Sequence, residues 1–303
     1  MTNGIINVYK EKGFTSFDVV AKMRRIFGQK KIGHTGTLDP DATGVLPVCL
    51  GKATRVCDLL TDKDKEYEAV LLLGKKTDTG DISGKILEEA DVSVTETMIE
   101  EAISSFVGES MQIPPMYSAL KVNGKKLCDL ARAGITVERK ARKITIYEIK
   151  ILEMNLPRVR FFVSCSKGTY IRTLCEDIGK KLSLPACMES LVRTRVADFT
   201  IDQAYRLDEI ENLVQQGRQG EIVKKTDVVF LHYPQVTAKR EYEKLLYNGN
   251  RMKPEFFWDY KEVYKDDSIR VYDEEKNFIG IYRLDETRMD LKPVKIFIDN
   301  KNN

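Results

Sequence analysis

One carboxylate stands out by its setting. Asp39 lies within Gly33-His-Thr-Gly-Thr-Leu-Asp-Pro-Asp-Ala-Thr-Gly44, between glycines and directly before Pro40. A residue before proline is pushed out of the helical region, so Asp39 is expected in an extended or turn conformation. Gly33, Gly36 and Gly44 permit tight bends and close approach of a ligand to the backbone. A loop this rich in glycine cannot fold on apolar burial alone, so specific contacts must give it shape. Loops of that kind often carry chemistry. The spacing alone fits an ordinary turn with a solvated aspartate equally well.

The elements that must hold this loop can be read from periodicity. Ser16 can cap a helix running to Phe27, with Val19, Val20, Met23, Ile26 and Phe27 on one face and Gly28 ending it. Glu66 to Leu73 reads as a strand. A second helix is expected from Glu96 to Val107, with Ile99, Ala102, Ile103 and Phe106 inward and Gly108 at its end. Lys143 to Glu153 and Arg158 to Ser166 read as two strands joined by Met-Asn-Leu-Pro. In the second, Val159, Phe161, Val163 and Cys165 alternate with Arg160, Phe162 and Ser164. Further helices are predicted from Tyr170 to Leu182 and from Leu207 to Gln216. After Tyr233-Pro234 the texture changes, and Ile269 to Asp273 and Phe278 to Arg283 read as a hairpin. The pattern predicts a mixed α+β body over 1–235 and a small β-rich module over 236–303.

The bulk numbers bound the rest. At 303 residues, 42% hydrophobic and 31% charged, the chain can bury a sizeable core and form about two domains. A net charge of +3 is too small to argue for nucleic acid by itself. Its distribution says more. From Lys121 to Lys143 there are eight Lys or Arg and only Asp129 and Glu138 against them. A basic patch on a near-neutral body suits a polyanion, although charge runs are more often solvated surface. Six cysteines show no CxxC pair and several have apolar neighbours, so they read as reduced thiols of a cytosolic protein. No basic-then-apolar leader and no run of membrane-spanning length is seen. Only His34 and His232 exist, so no zinc spacing can be assembled, and Asp78-Thr-Gly-Asp81 is too sparse in ligands for a calcium loop. A Walker P-loop and a dinucleotide fingerprint are both missing.

Five segments then follow one another in a set order: GHTGTLDPDATGVLPVCLGKATR, KEYEAVLLLGKKTDTGDISG, PPMYSALKVNGKKLCDLAR, SKGTYIRTLCEDIG and LVRTRVADF. Together they resemble the TruB-type tRNA pseudouridine synthases, from Gly4 to about Phe199, with a looser match beyond. The resemblance implies a pseudouridine synthase fold, a mixed and largely antiparallel sheet with helices, plus a small C-terminal PUA-like β module. It implies that the Pro114 to Arg142 stretch is an RNA-gripping insertion. It implies isomerisation of the T-loop uridine of tRNA, position 55, to pseudouridine, with no cofactor and no metal.

By the same resemblance Asp39 matches the essential carboxylate, Arg172 its arginine partner and Tyr67 the stacking tyrosine. Tyr170 and Leu191 match pocket-lining positions, and His34 the histidine that meets the RNA near the flipped base. Lys10 is counted with the substrate contacts and expected to support the catalytic loop, although the proline that commonly follows it in the family is Glu11 here. Desolvation would protonate a buried aspartate, and a guanidinium partner would reverse that and orient both oxygens. Tyr170 and Arg172 diverge on a helix but share a side in an extended segment. Taken singly, Arg172 could be a surface arginine, Tyr67 a strand tyrosine, His34 a hydrogen-bonded loop residue and Leu191 core. The implied partner is the tRNA T stem-loop, with no membrane and no obligatory protein, bound by a cytoplasmic monomer. Three other readings stand beside this one: a tRNA-folding protein without catalysis, a guide-RNA-dependent relative, and an aspartate-nucleophile hydrolase that would need a second acid, for which Asp41 is the nearest candidate.

Overall fold

In the computed structural model, residues 1–261 and 268–298 are described. The chain opens with strand β1 (Gly4–Lys10), helix α1 (Ser16–Phe27), β2 (Ile32–His34), β3 (Thr43–Leu50) and the short α2 (Cys57–Thr61). Then come β4 (Lys65–Leu73), β5 (Lys75–Thr77), β6 (Ile86–Glu89), α3 (Glu96–Ser104) and β7 (Gly108–Gln112). A basic excursion carries β8 (Lys121–Val122), β9 (Lys125–Lys126) and α4 (Leu127–Arg132). The long hairpin β10 (Arg142–Asn155) and β11 (Arg158–Cys165) leads to α5 (Ile171–Lys181), β12 (Ala186–Val196), β13 (Phe199–Thr200) and α6 (Leu207–Gln215). The remainder holds β14 (Gln235–Thr237), α7 (Glu243–Tyr247), β15 (Ser268–Tyr272), β16 (Phe278–Asp285) and β17 (Asp290–Ile296).

The fold is α+β, with one nine-stranded sheet as its frame. Its order is β1-β3-β12-β4-β11-β10-β7, with β2 on β3 and β13 on β12. Every neighbouring pair is antiparallel except β3 and β12. That parallel contact brings the backbones of Gly44 and Arg193 side by side. A Cβ on Gly44 would sit 2.2 Å from the Arg193 carbonyl oxygen, and its φ of +106° suits glycine alone. Gly44 is therefore required by the join between the Asp39 loop and the sheet.

Period-2 alternation explains which face each strand gives to the core. Val159, Phe161, Val163 and Cys165 are fully buried, while Arg158 and Arg160 face solvent and pair with Glu189 and Glu68. On β4 the inward set is Tyr67, Ala69 and Leu71. Helix α5 lays Ile171, Leu174, Cys175 and Ile178 against the same cluster. Each such side chain contributes about 1.5–3 kcal/mol on burial, which fixes the helix that carries Arg172.

The start of α1 and the end of α3 differ from the sequence expectation for identifiable reasons. The N-cap of α1 is Thr15, in a reciprocal capping box with Asp18; Ser16 instead bonds its hydroxyl to Leu38. Helix α3 stops at Ser104 because Phe106 and Val107 donate to carbonyls three residues back and Gly108, at φ +108°, turns the chain into β7. Strands β1, β3 and β12 lie at one end and the centre of the sheet, yet their sequences carry no alternation. Of these, β1 and β3 are buried on both faces, which erases it, and in β12 irregularities at Met188/Ser190 and Arg193/Arg195 interrupt it.

The second sheet, β14-β15-β16-β17, has its own core of Val236, Leu246, Ile269, Val271, Ile279 and Tyr282 among others. It is joined to the body by Phe230, Ile281 and Phe297, which pack with Ile5, Val45, Val196 and Phe199. No helix among the described residues is long and apolar enough to cross a membrane.

Candidate active site

The Asp39 loop is built as the proline demands. The Asp39 carbonyl accepts from the Ala42 N–H at 3.1 Å, closing a turn with Pro40 at its second position. Lys10 clamps this turn from below. Its ammonium donates to the carbonyls of Pro40 at 3.0 Å, Ala42 at 2.6 Å and Glu11 at 3.1 Å. Gly13 N–H adds a bond to Pro40 O at 2.9 Å, and Ser16 Oγ accepts from Leu38 N–H at 2.9 Å. Lys10 is wholly buried and holds the loop through these carbonyls. Burial lowers its pKa to about 8, against the opposing pull of Asp39 and Asp41.

Arg172 lies in the first turn of α5 and is 5% exposed. Its Nε meets Asp39 Oδ2 at 3.0 Å and its Nη2 meets Asp39 Oδ1 at 3.3 Å, the bidentate pairing that fixes a carboxylate plane. The rest of the guanidinium is occupied by the carbonyls of Thr79 at 2.8 Å and Tyr117 at 2.6 Å. Asp81 Oδ2 stands 3.7 Å from Nη1. Arg172 thus ties together the Asp39 loop, the Asp78–Asp81 turn and the root of the basic excursion. Removal from water raises the Asp39 pKa, and Arg172 lowers it without cancelling that rise. The partner therefore reduces the tendency to protonate but does not reverse it, because the loss of water outweighs it and Asp81 adds negative charge nearby.

Two chambers meet at Asp39 and Arg172. The inner one, about 300 Å³, is walled by Tyr67, Tyr170, Leu191, Lys65 and Arg193. The outer one, about 580 Å³, opens past Tyr117, Lys126 and Arg132 and also takes in His34 and Leu191. Tyr170 is the extended cap residue before α5, which lets it and Arg172 line the same chamber. Gln112 pins it, giving its amide to the Tyr170 carbonyl at 3.1 Å and accepting its N–H at 2.8 Å. Burial raises the Tyr170 phenol. His34 Nδ1 accepts from Gly36 N–H at 3.2 Å, so its Nε2 carries the proton. Burial and nearby Arg193 lower its pKa and keep it neutral.

Tyr67 lies on the floor of the inner chamber, opposite Arg193 in the β4–β12 register. Burial raises its phenol to about 12, with Arg193 pulling the other way through a hydrogen bond. The hydroxyl is thus protonated at neutral pH and cannot serve as a base there. Arg193 is 1% exposed, with Nε on Val45 O at 2.7 Å and Nη2 on Gly36 O at 3.3 Å. In the sequence Arg193 stands out only as a member of a motif segment. Thr194 and Arg195 beside it are polar, so the sequence gives no further signal, and only its burial in the fold shows that it requires buried acceptors. Asp81 likewise gives no sign beyond belonging to a turn too sparse for calcium. Its Oδ1 accepts from Thr79 Oγ1 at 2.8 Å and Ser83 N–H at 3.1 Å, which occupies it in shaping that turn. Among the described residues no group of His, Cys, Asp and Glu is placed to hold a metal ion.

The geometry yields a test of Tyr67. Tyr67→Phe keeps the ring and loses only the hydroxyl, and turnover is expected to stay within about tenfold of wild type. Tyr67→Leu removes the face on which a base would stack, worth about 1–3 kcal/mol, and is expected to fall further. Steady-state kinetics on both variants checks this. A Phe variant as inactive as Leu would show that the phenol transfers a proton.

Comparison with known proteins identifies the family of this chain. Residues 24–171 match the family described as TruB family pseudouridylate synthase (N terminal domain). Residues 172–229 match the tRNA pseudouridylate synthase B C-terminal domain, which here comprises α5, β12 and α6 rather than the second sheet. The tRNA pseudouridine synthase B of Lachnoclostridium phytofermentans is 53% identical over 98% of this chain and 100% of its own length. That of Clostridium tetani is 46% identical over 98% of this chain and 100% of its own. Among solved structures, the crystal structure of a Cbf5-Nop10-Gar1 complex aligns with 98% of this chain and 85% of the matched chain, at 27% identity and a TM-score of 0.74.

Proposed function

The chain belongs to the TruB family of pseudouridylate synthases, and from that premise we propose that it isomerises the T-loop uridine of tRNA, position 55, to pseudouridine through Asp39. The observation that carries the reading is the bidentate Asp39–Arg172 pair lining the inner chamber. In the reaction the bond from N1 to the ribose breaks and a bond from C5 to the same carbon forms. The C5 proton leaves and N1 gains one, so atoms balance with no outside reagent. The chain must supply an oriented charge, a stacking floor and room for the free base to turn. Asp39, Tyr67 and the inner chamber supply these in turn, with Tyr170 and Leu191 as walls. A target uridine inside a folded arm must leave its stack to reach them.

The tRNA substrate is supported by relatives of 46–53% identity over their full length. The Cbf5 chain found in complex with Nop10 and Gar1 is only 27% identical to this one, so we favour a monomer acting in the cytoplasm without a protein partner. The second sheet is read as a PUA-like module, with 1–235 as the catalytic domain. Release of tritium from tRNA transcripts labelled at uridine C5, with no cofactor added, tests the reading. Release matching one uridine per tRNA is the expected result, and none would refute it.

The basic excursion is assigned to the RNA backbone. Lys121, Lys125, Lys126 and Lys140 are exposed, whereas Lys143 is paired with Glu109 at 2.8 Å and Arg139 is held on Pro114 O at 3.1 Å. Replacing those four lysines with Gln is expected to weaken tRNA binding. The slope of log affinity against log salt should flatten by about 0.7–0.9 for each phosphate no longer neutralised, with turnover at saturating tRNA little changed. An unchanged slope would mark the stretch as solvated surface.

A further inference from the structure

Beside the catalytic chambers lies a third cavity of about 520 Å³ that the isomerisation above does not use. Phe17, Arg24, Lys30, Lys31 and His34 line it, and its wall holds no acidic side chain. Phe17 and His34 also line the outer chamber, so the two spaces adjoin. Phe17 sits in the first turn of α1 and is 64% exposed, an unusual place for so large an apolar ring. The Arg24 guanidinium lies 5.8 Å from the ring centroid, two turns further along the helix. Its Nε is buried and has no hydrogen-bond partner, and its Nη2 makes only a long 3.4 Å bond to Ile32 O. The terminal nitrogens of the guanidinium thus keep donor capacity for an anion in the cavity.

We propose that this cavity is a second nucleotide subsite, with a base flanking the target uridine stacked on Phe17 and the adjoining phosphate held by Arg24, Lys30 and Lys31. The aromatic face accepts any base, and the three cations with no opposing acid suit a backbone phosphate. The subsite deepens the tRNA reading and rests on it. Its position across His34 from Asp39 lets it hold the strand beside the flipped uridine and so set register.

The test uses the full-length protein and synthetic T-arm stem-loops in which each loop nucleotide other than the target is made abasic in turn. With wild-type protein, one abasic position next to the target is expected to raise KM about tenfold with kcat little changed. Phe17→Ala on the intact RNA should show the same rise and lose nothing more on that abasic RNA, since both remove the same stacking interaction. Arg24→Gln should flatten the salt slope by about 0.7. Because Phe17 is exposed, the thermal midpoint of its alanine variant should match wild type. A Phe17→Ala protein with unchanged KM, or with the same loss on every abasic RNA, would overturn the subsite. So would a wild-type protein indifferent to both flanking positions. Failure of wild type to convert the intact stem-loop would instead refute the tRNA reading itself.

Discussion

Asp39→Asn is expected to abolish pseudouridine formation, by at least about 10⁴-fold, while tRNA binding survives. The substitution keeps the shape of the side chain and removes only its charge. The fold should persist as well. A carboxyl whose folded pKa lies above its unfolded value binds more protons when folded, so its contribution to stability falls as pH rises. Burial raises Asp39 in this direction. At neutral pH the asparagine variant is therefore expected to unfold at the wild-type temperature or above it. The loop does not depend on the carboxylate, because Lys10, Gly13 and Ser16 hold it through backbone groups. Thermal unfolding and a filter-binding curve beside the activity assay separate the two effects. Residual turnover above about one part in a thousand in a contamination-free preparation would remove Asp39 from the chemistry.

Arg172→Lys is expected to lower kcat by about 10²–10³ and to move the acid limb of the pH profile upward. Lysine keeps the charge but cannot grip both Asp39 oxygens while meeting Thr79 O and Tyr117 O. The sign follows from the carboxylate. If Asp39 acts as the carboxylate, activity should disappear as pH falls through the folded pKa, which burial has already raised. Arg172 is the largest influence lowering that value, so a poorer partner leaves it higher. Activity lost at neutral pH should thus be partly regained in alkaline buffer. An acid limb in the wild-type position would show that Arg172 does not control Asp39.

The asymmetry between what the sequence discloses and what it hides has a physical cause. Local rules reach Asp39, because the following proline and the flanking glycines dictate a turn within a few residues. They reach α1, α5 and the β10–β11 hairpin, where one face is buried and the other wet. They do not reach β3, which is buried on both faces and reads as a plain apolar run, or β12, where Glu189, Ser190, Arg193, Thr194 and Arg195 break up the apolar pattern. Nor do they reach contacts made by folding. Arg172 and Asp39 are 133 residues apart, and only the family resemblance pairs them in the sequence. Arg193, Asp81 and Gln112 have no such guide. Each looks like an ordinary polar residue until the sheet brings Tyr67, Arg172 or Tyr170 against it. The balance of charge at Asp39 differs from the sequence expectation for the same reason, since Asp81 joins the site only in three dimensions.

The most direct test of the central claim is to map pseudouridine in an unmodified tRNA transcript after incubation with wild-type and Asp39→Asn protein in parallel, in buffer with no added cofactor. One new pseudouridine is expected, in the T loop at position 55, with wild type and none with the variant, although both bind the transcript. Modification at a different position, or equal modification by the two proteins, would contradict that claim.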